Sequence, residues 1–480
     1  MHDRLIIAGE SLTGSGPSFD VIDPVRGEPT ATIASAGEEQ VVAAVAAARA
    51  AFPAWRDAAQ QTRSDALLAA ADLVEARSEE LLALVTADTG RAITRNRVYV
   101  AWTAFVLRQY AHLARHHRGR VVPSNDPGQL SLVLRSPYGV VAAIAPYNYP
   151  LALMVHKVAP ALAAGNTVVL KGAPETTRTT QFLAGLLAEV TPPGVVNAVV
   201  GGREVGEWLV NASEVDLVAF TGSTSAGRAI GEACAMLTRP VLLELGGKDP
   251  AIVFADADLE VAVPGVVWSS FLNTGQVCTS TERVYVARSR YAEFVEAAAA
   301  ATARIRVGDP FDPATEVGPM RTEAGRARVI AHIRQAEEAG ARVVVGGDRQ
   351  DPGFWLSPAL VADVDHTMSL MNEETFGPVL PVMAFDEPDD AFALAADTPY
   401  GLGASIYTGD ARLVKRSYDT LPVGNLWVNE GVVDNPAAPF GGVRASGAAR
   451  ELGIEGLDAY TYPKHVHWNV EPEVKPWWFG

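Results

Sequence analysis

Val140-Val-Ala-Ala-Ile-Ala-Pro-Tyr-Asn-Tyr-Pro150 begins with five apolar residues and then breaks into a Pro-flanked turn. Four similar runs follow: Thr167-Val-Val-Leu170, Val195-Val-Asn-Ala-Val-Val200, Leu217-Val-Ala-Phe220 and Val241-Leu-Leu-Glu-Leu245, alternating with helical segments. Strands buried on both faces read as continuous apolar runs, and strands alternating with helices join as parallel crossovers. The pattern predicts an α/β fold with a doubly wound parallel sheet, whose ligands bind beyond the carboxyl ends of strands where the strand order switches. A second alternating series, from Ala251 to about Tyr407, includes Arg283-Val-Tyr-Val-Ala287, Ala341-Arg-Val-Val-Val-Gly346 and Val379-Leu-Pro-Val-Met-Ala384. It predicts a second α/β domain.

Upstream, Glu38 to Ala51 and Ser64 to Ala87 are Ala-, Leu- and Glu-rich with helical spacing, which predicts two helices covering a sheet face. Gly119 to Pro137 and Tyr460 to the end alternate apolar and polar residues outside this rhythm, as strands of a small oligomerisation sheet do. The tail Lys475-Pro-Trp-Trp-Phe479 fits either a subunit contact or packing on the chain's own body.

At 480 residues, the chain exceeds one hydrophobic core and predicts two or three domains. Apolar residues at 48% and charged residues at 20% describe a soluble enzyme. A net charge of −17 repels phosphate backbones, so nucleic acid is not an expected partner. Membrane is not expected either: the longest apolar candidate, Val140 to Ala164, is interrupted by Pro146, Asn148, Pro150 and Lys157. The start, Met-His-Asp-Arg, is too short and acidic for a signal peptide, and a cytoplasmic protein is expected. Two cysteines do not make a disulfide framework. Cys234, in an apolar helical segment, reads as a buried structural thiol. The nine histidines form no ligand cluster, so no metal is expected; His465 and His467 read as one polar face of a strand.

The chemistry is carried by two runs. Asn273-Thr-Gly-Gln-Val-Cys278-Thr-Ser-Thr-Glu-Arg283 offers a thiol among hydroxyls, and Glu244-Leu-Gly-Gly-Lys248, ending an apolar strand, offers a carboxylate as general base. A thiolate attacks carbonyl carbon and needs an oxyanion stabiliser. Asn148, beyond the strand ending at Ile144, can present its amide to developing charge, although in isolation the same residues read as a turn. Phe220-Thr-Gly-Ser-Thr-Ser-Ala-Gly227 leads from a strand into a helix, whose first N–H groups suit a pyrophosphate. It departs from the Gly-x-Gly-x-x-Gly fingerprint.

Together these runs resemble the aldehyde dehydrogenase superfamily, in order and over nearly the whole chain. Matching blocks are Ala145 to Pro150, Gly165-Asn-Thr-Val-Val-Leu-Lys171, Phe220 to Gly227, Glu244 to Lys248, Gly275-Gln-Val-Cys278, Asn372-Glu-Glu-Thr-Phe-Gly-Pro378, and Pro439-Phe-Gly-Gly442 with Ser446-Gly447. The resemblance implies a Rossmann-type cofactor domain (1–114 and 138–246), an α/β catalytic domain (247–446) and an oligomerisation segment (115–137 and 459–480) in a homodimer or homotetramer. It implies that Cys278 attacks an aldehyde, that the Asn148 amide and the Cys278 N–H hold the oxyanion, and that hydride passes to the nicotinamide. Glu244 then serves as base for the water that releases the acid. Relatives that acylate coenzyme A generally lack this Glu.

The resemblance further implies that Lys171, grouped with the catalytic residues, lies on the adenosine ribose. Gly222, Ser223 and Gly227 fall near the pyrophosphate, Glu374 and Phe376 at the nicotinamide and its ribose, and Ala145, Pro146, Tyr147 and Leu245 elsewhere along the cofactor. One position departs: relatives often carry Lys-Pro-x-Glu, whereas this chain reads Lys171-Gly-Ala-Pro174-Glu175. Replacing that ribose-gripping carboxylate by Pro174 weakens the exclusion of a 2′-phosphate, so NAD is expected with NADP also accepted. Arg444 and Ala449 stand where relatives usually show Lys and Gly, a difference expected to affect packing.

For the substrate, a small-molecule aldehyde, the resemblance implies a tunnel of Trp102, Tyr149, Leu153, His156, Leu272, Val277, Thr279, the loop Glu430 to Ala438 with Asp434, and Phe440. The set is mostly apolar and contains no arginine, which favours a hydrophobic or aromatic aldehyde over carboxylate-bearing semialdehydes. An amino aldehyde is the alternative if Asp434 faces the tunnel. A Cys-dependent esterase or hydrolase would need a base, for which His156 is the candidate.

Overall fold

The computed structural model describes residues 3–117 and 119–479. Residues 1, 2, 118 and 480, which the expected segments include, lie outside them. All five quoted apolar runs are strands of one sheet, in the order Val241–Glu244, Leu217–Thr221, Val140–Ile144, Thr167–Lys171, Val196–Val199. They are mutually parallel. The strands Val140–Ile144, Thr167–Lys171 and Leu217–Thr221 are buried at every position, each Val, Leu, Ile or Phe side chain contributing roughly 1.5–3 kcal/mol on burial. The chain builds outward from Val140–Ile144 on one side and returns to its other side. That switch point sets the loop after Ile144 beside the loop after Thr221.

Two strands the sequence does not predict, Leu5–Ile7 and Glu10–Leu12, extend this sheet antiparallel. With three residues each, they are too short for a period to show. Two of the early helices also differ from expectation. The first runs from Glu38 to Asp57 through Pro53, its last turn anchored by buried Trp55, whose Nε1 donates to the Leu162 carbonyl at 3.2 Å. The expected helix Ser64 to Ala87 is two, Gln60–Ala76 and Ser78–Thr89, broken at Arg77. Arg77 leaves helical geometry (φ −106, ψ 18) while its N–H closes the first helix on the Leu73 carbonyl and its own carbonyl opens the second.

The second α/β sheet runs Arg342–Val345, Ala359–Ala362, Val379–Phe385, Thr281–Ala287, Asp249–Val253, Gly403–Tyr407, Asn425–Val428. All neighbours are parallel except the first pair. Cys278 and Glu374–Phe376 precede their strands, so they stand at amino ends, not at the carboxyl ends expected of a ligand site in such a sheet. The site therefore forms where the carboxyl ends of the first sheet meet the amino ends of the second.

The third sheet is antiparallel. Thr461–Asn469 pairs with Gln129–Pro137 in one unbroken register, from Thr461 opposite Pro137 to Asn469 opposite Gln129, and Arg120–Val122 pairs on the far side. Val121, Leu134 and Trp468 are exposed on it. Trp477, Trp478 and Phe479 are also exposed, so the tail aromatics are not packed on the chain's own body. Cys234 is buried, as expected, and His465 faces Ser131 Oγ at 2.6 Å. No helix among the described residues is long and apolar enough to cross a membrane.

Candidate active site

The loop before Cys278 is made by three successive left-handed residues, Asn273 (φ 52), Thr274 (φ 59) and Gly275 (φ 69). Asn tolerates this region and Gly adopts it freely, but a β-branched Thr there is strained and must be held. Thr274 Oγ1 donates to the Gly318 carbonyl at 3.0 Å. At Gly275 a Cβ would lie 2.1 Å from the Gly377 carbonyl oxygen, so only glycine fits. Asn273 Nδ2 donates to the carbonyls of Asn148 (3.2 Å) and Gln276 (3.0 Å), and Asn148 Nδ2 donates to the same Gln276 carbonyl at 3.0 Å. The loops carrying Asn148 and Cys278 are thus laced together. The second amide hydrogen of Asn148 remains for a ligand, and its Oδ1 is buried without a partner. Sequence reasoning assigned no role to Asn273; the signal was a residue tolerant of positive φ just before Thr274-Gly275.

A cavity of about 240 Å³ brings Asn148, Glu244 and Cys278 together with Pro146, Tyr147, Leu153, Gly222, Ser223, Leu245, Glu374 and Phe376. Glu244 closes its strand, and Leu245 N–H and Gly447 tie this end to the Ser446-Gly447 segment. The two following glycines have separate steric reasons. A Cβ at Gly246 would meet the Glu374 carboxylate at 2.4 Å, and one at Gly247 would meet the Cys278 carbonyl at 2.7 Å. The Glu244 carboxyl is buried with no conventional hydrogen-bond partner. Burial pushes its pKa up to about 8, with Glu451 adding and Lys157 and the Cys278 thiol opposing. Burial likewise raises the Cys278 thiol well above its ordinary range, helped by the charges of Glu244 and Asp434. A thiol and a carboxyl, both pushed toward their protonated forms by burial, therefore face each other.

Ser223 caps the helix Thr224–Met236, its Oγ accepting from Ala226 N–H at 3.3 Å, so the positive end of the helix faces the cavity beside Gly222. Gly227 sits against Leu245, where a Cβ would approach the side chain to 2.3 Å. Beyond the helix start, a second cavity of about 570 Å³ presents Ile144, Phe220 and Ile230 beside Lys171. Ala145 N–H donates to the Lys171 carbonyl at 3.1 Å. Burial lowers the Lys171 ammonium to about 8, opposed by Glu175. A carboxylate therefore still acts on Lys171, from the position after Pro174. An apolar slot, a helix amino end and a cysteine cavity in sequence fit adenosine, pyrophosphate and nicotinamide. Phe376, in left-handed conformation (φ 54), stands edge-on to Tyr147 with ring centroids 6.3 Å apart, and burial pushes the Glu374 carboxyl up to about 7.

Tyr149, Leu153, Leu272, Val277 and Phe440 share one apolar cluster against which Trp102 and Cys278 pack, and Thr279 is buried next to Cys278 in the chain. His156 is not free to serve as a base. Its Nε2 accepts from Trp102 Nε1 at 2.9 Å, which leaves Nδ1–H to donate to Glu451 Oε2 at 3.1 Å. Glu451 also pairs with Lys157 at 2.5 Å, and Lys157 donates to Thr221 Oγ1. Burial alone would raise the Glu451 carboxyl, but Lys157 and His156 outweigh it and hold the pKa at about 2. Sequence reasoning did not place Glu451, nor Arg91, whose buried guanidinium lies 4.6 Å from the Tyr99 ring centroid and 4.3 Å from that of Tyr149. Asp434 has a buried Oδ1 without a partner, and its charge acts on Tyr99, His156 and Cys278. Arg444 donates to the carbonyls of Ala396 and Thr398, a packing role.

Fold and site together define an oxidoreductase of the α/β class with a half-buried cysteine in its candidate site. The chain belongs to the aldehyde dehydrogenase family, whose model matches residues 12–466, and it is an NAD(P)-dependent enzyme of that family. It is 41% identical over 476 residues to the geranial dehydrogenase of Castellaniella defragrans, covering 97% of this chain and 98% of that one. It is 36% identical to the NADP(+) succinate-semialdehyde dehydrogenase of Escherichia coli, with 97% of each covered. The solved betaine aldehyde dehydrogenase of Staphylococcus aureus in complex with NAD+ superimposes with a TM-score of 0.96 at 34% identity, over 100% of this chain and 97% of that one.

Proposed function

We propose that this protein oxidises a hydrophobic or aromatic aldehyde to its carboxylic acid, with Cys278 as nucleophile, Asn148 as oxyanion donor and Glu244 as general base. The convergence of these three side chains on one cavity carries the reading. Cys278 loses its proton to solvent as its sulfur bonds to the carbonyl carbon, and the oxyanion takes hydrogen bonds from the Asn148 amide and the Cys278 N–H. Bound NAD supplies the hydride acceptor. Glu244 loses its proton to solvent and then takes one from water, whose oxygen attacks the thioester carbonyl. The carbon–sulfur bond breaks and the acid leaves. Lys171, Ser223, Glu374 and Phe376 would hold the cofactor, NAD being preferred because Glu175 disfavours a second negative group beside Lys171, and NADP being accepted through the Lys171 cation.

The apolar cluster of Tyr149, Leu153, Leu272 and Phe440, against which Cys278 packs, supports the substrate class. A panel of benzaldehyde-type, medium-chain aliphatic, amino and carboxylate-bearing aldehydes, run with both cofactors and with product identified in the presence of coenzyme A, tests it. Free acid from the first two classes with NAD is expected; turnover of charged aldehydes alone, or an acyl-CoA product, overturns it. Removing one oxyanion donor typically costs about 3 kcal/mol of barrier. Asn148→Ala should therefore lose roughly two to three orders of magnitude in kcat, and unchanged turnover removes Asn148 from the mechanism.

Asp434 favours a second reading, an amino aldehyde, because a carboxylate with a buried, unpartnered oxygen attracts an ammonium group. Under it, Asp434→Asn raises KM for amino aldehydes roughly tenfold or more, on the scale of one charged hydrogen bond, and spares apolar ones. Equal KM changes for both classes dispose of that reading. We also infer that the domain division is the expected one, that the third sheet contacts further copies of the chain in a homodimer or homotetramer, its exposed Val121, Leu134 and Trp468 supporting this, and that the enzyme works in the cytoplasm.

A further inference from the structure

Glu282, four residues after Cys278 on the strand Thr281–Ala287, takes no part in the chemistry above, yet its carboxylate is buried. Its Oε1 accepts from the Phe376 N–H at 2.7 Å. Its Oε2 accepts from the Thr375 N–H at 2.7 Å and from Lys248 Nζ at 2.7 Å. Lys248 Nζ also donates to Thr375 Oγ1 at 3.1 Å, His332 Nδ1 lies 3.1 Å from that hydroxyl, and Arg328 Nε donates to the Thr375 carbonyl at 3.2 Å. Two successive backbone N–H groups aimed at one carboxylate form a small anion nest. The nest holds Phe376 in the left-handed region, which a phenylalanine rarely adopts unaided. The residues flanking Thr375, Glu374 and Phe376, line the cavity of Cys278. One carboxylate thus ties together the segment after Glu244, through Lys248, the segment after Cys278, and the Glu374–Phe376 segment.

We propose that Glu282 is a positioning residue for the nicotinamide side of the cavity, fixing the Glu374 carboxyl and the Phe376 ring relative to the nucleophile. The proposal rests on the reading that Glu374 and Phe376 hold the nicotinamide and its ribose. A structural ion pair with Lys248 alone would predict lost stability without a specific effect on the cofactor.

Glu282→Gln keeps the shape but turns an NH2 group toward one of the two amides. Glu282→Asp keeps the charge and withdraws it by one methylene, and serves if the first variant does not fold. In cofactor-free enzyme, hydrogen exchange at the Thr375 and Phe376 amides should accelerate roughly ten- to a hundredfold, the scale of a hydrogen bond to a charged group, with exchange in the first sheet unchanged. The NAD+ dissociation constant measured by calorimetry, and KM for NAD, should rise by a similar factor while KM for aldehyde stays constant. Unchanged exchange and NAD+ affinity in a folded Glu282 variant overturn the proposal when Glu374→Gln weakens NAD+ binding. Should Glu374→Gln itself leave NAD+ affinity and turnover unchanged, the underlying reading of Glu374 fails and the proposal falls with it.

Discussion

Cys278→Ala is expected to abolish aldehyde oxidation, lowering kcat on the order of 10⁶-fold, the scale on which removing the nucleophile of a covalent enzyme acts. No neighbour can replace the sulfur: Thr279 and Ser280 are weak nucleophiles at their ordinary basicity, and both are buried behind Cys278. The fold should tolerate the change, because the loop is held by the side chains of Asn148, Asn273 and Thr274 and not by the thiol. NAD+ binding should persist with an unchanged dissociation constant, which separates loss of chemistry from loss of structure. Stopped-flow reduction of NAD checks the prediction: the alanine enzyme should show neither a burst nor steady turnover, and a residual burst of one equivalent would transfer the nucleophile's role elsewhere.

The residues of the proposed chemistry stood out in the sequence for a physical reason. Cys278, Glu244 and Asn148 lie in short segments bounded by glycine, proline or an apolar strand, because each must stand at a strand or helix end where the backbone turns. The first sheet was legible because strands such as Val140–Ile144 are buried on both faces and lose their alternation. What stayed hidden are partnerships across the chain. Glu451 and Lys157 stand 294 positions apart, yet they share a buried ion pair with His156, and nothing local in Ala449-Arg-Glu451 announces it. His156 looked like a spare base until Trp102 and Glu451 occupied both of its nitrogens. Arg91 was invisible in the same way, since its guanidinium is placed by the rings of Tyr99 and Tyr149. Pro174 read as the loss of a carboxylate, but only the fold shows Glu175 acting on Lys171 from the next position.

These hidden partners also set how the site titrates. The negative charge of Glu451 adds to burial in raising Glu244, while Lys157 opposes it, so the basicity of the proposed base is governed in part by charges outside the cavity lining. Thus Glu244 remains largely protonated at neutral pH, when its ordinary value would leave it ionised.

Glu244→Gln should accordingly separate the two halves of the reaction. The variant keeps the volume and removes the base, so acylation of Cys278 still delivers one equivalent of NADH per site before turnover stalls. Steady-state kcat should fall roughly 10²- to 10⁴-fold, the range of general base catalysis. In the parent enzyme, with a folded pKa of about 8, the active carboxylate grows with pH, so kcat limited by thioester hydrolysis should rise from pH 6 toward a plateau above 8. The glutamine variant should lack that limb. Stability carries the opposite sign: the native state keeps a proton that the unfolded chain releases near 4.5, so Glu244 costs the fold stability as pH rises from that value through about 8. The melting temperature of the variant should therefore decline less than that of the parent between pH 5 and 9. A kcat that falls across pH 6 to 8 in the parent, or a glutamine enzyme that turns over at the parental rate, would assign the base to another group.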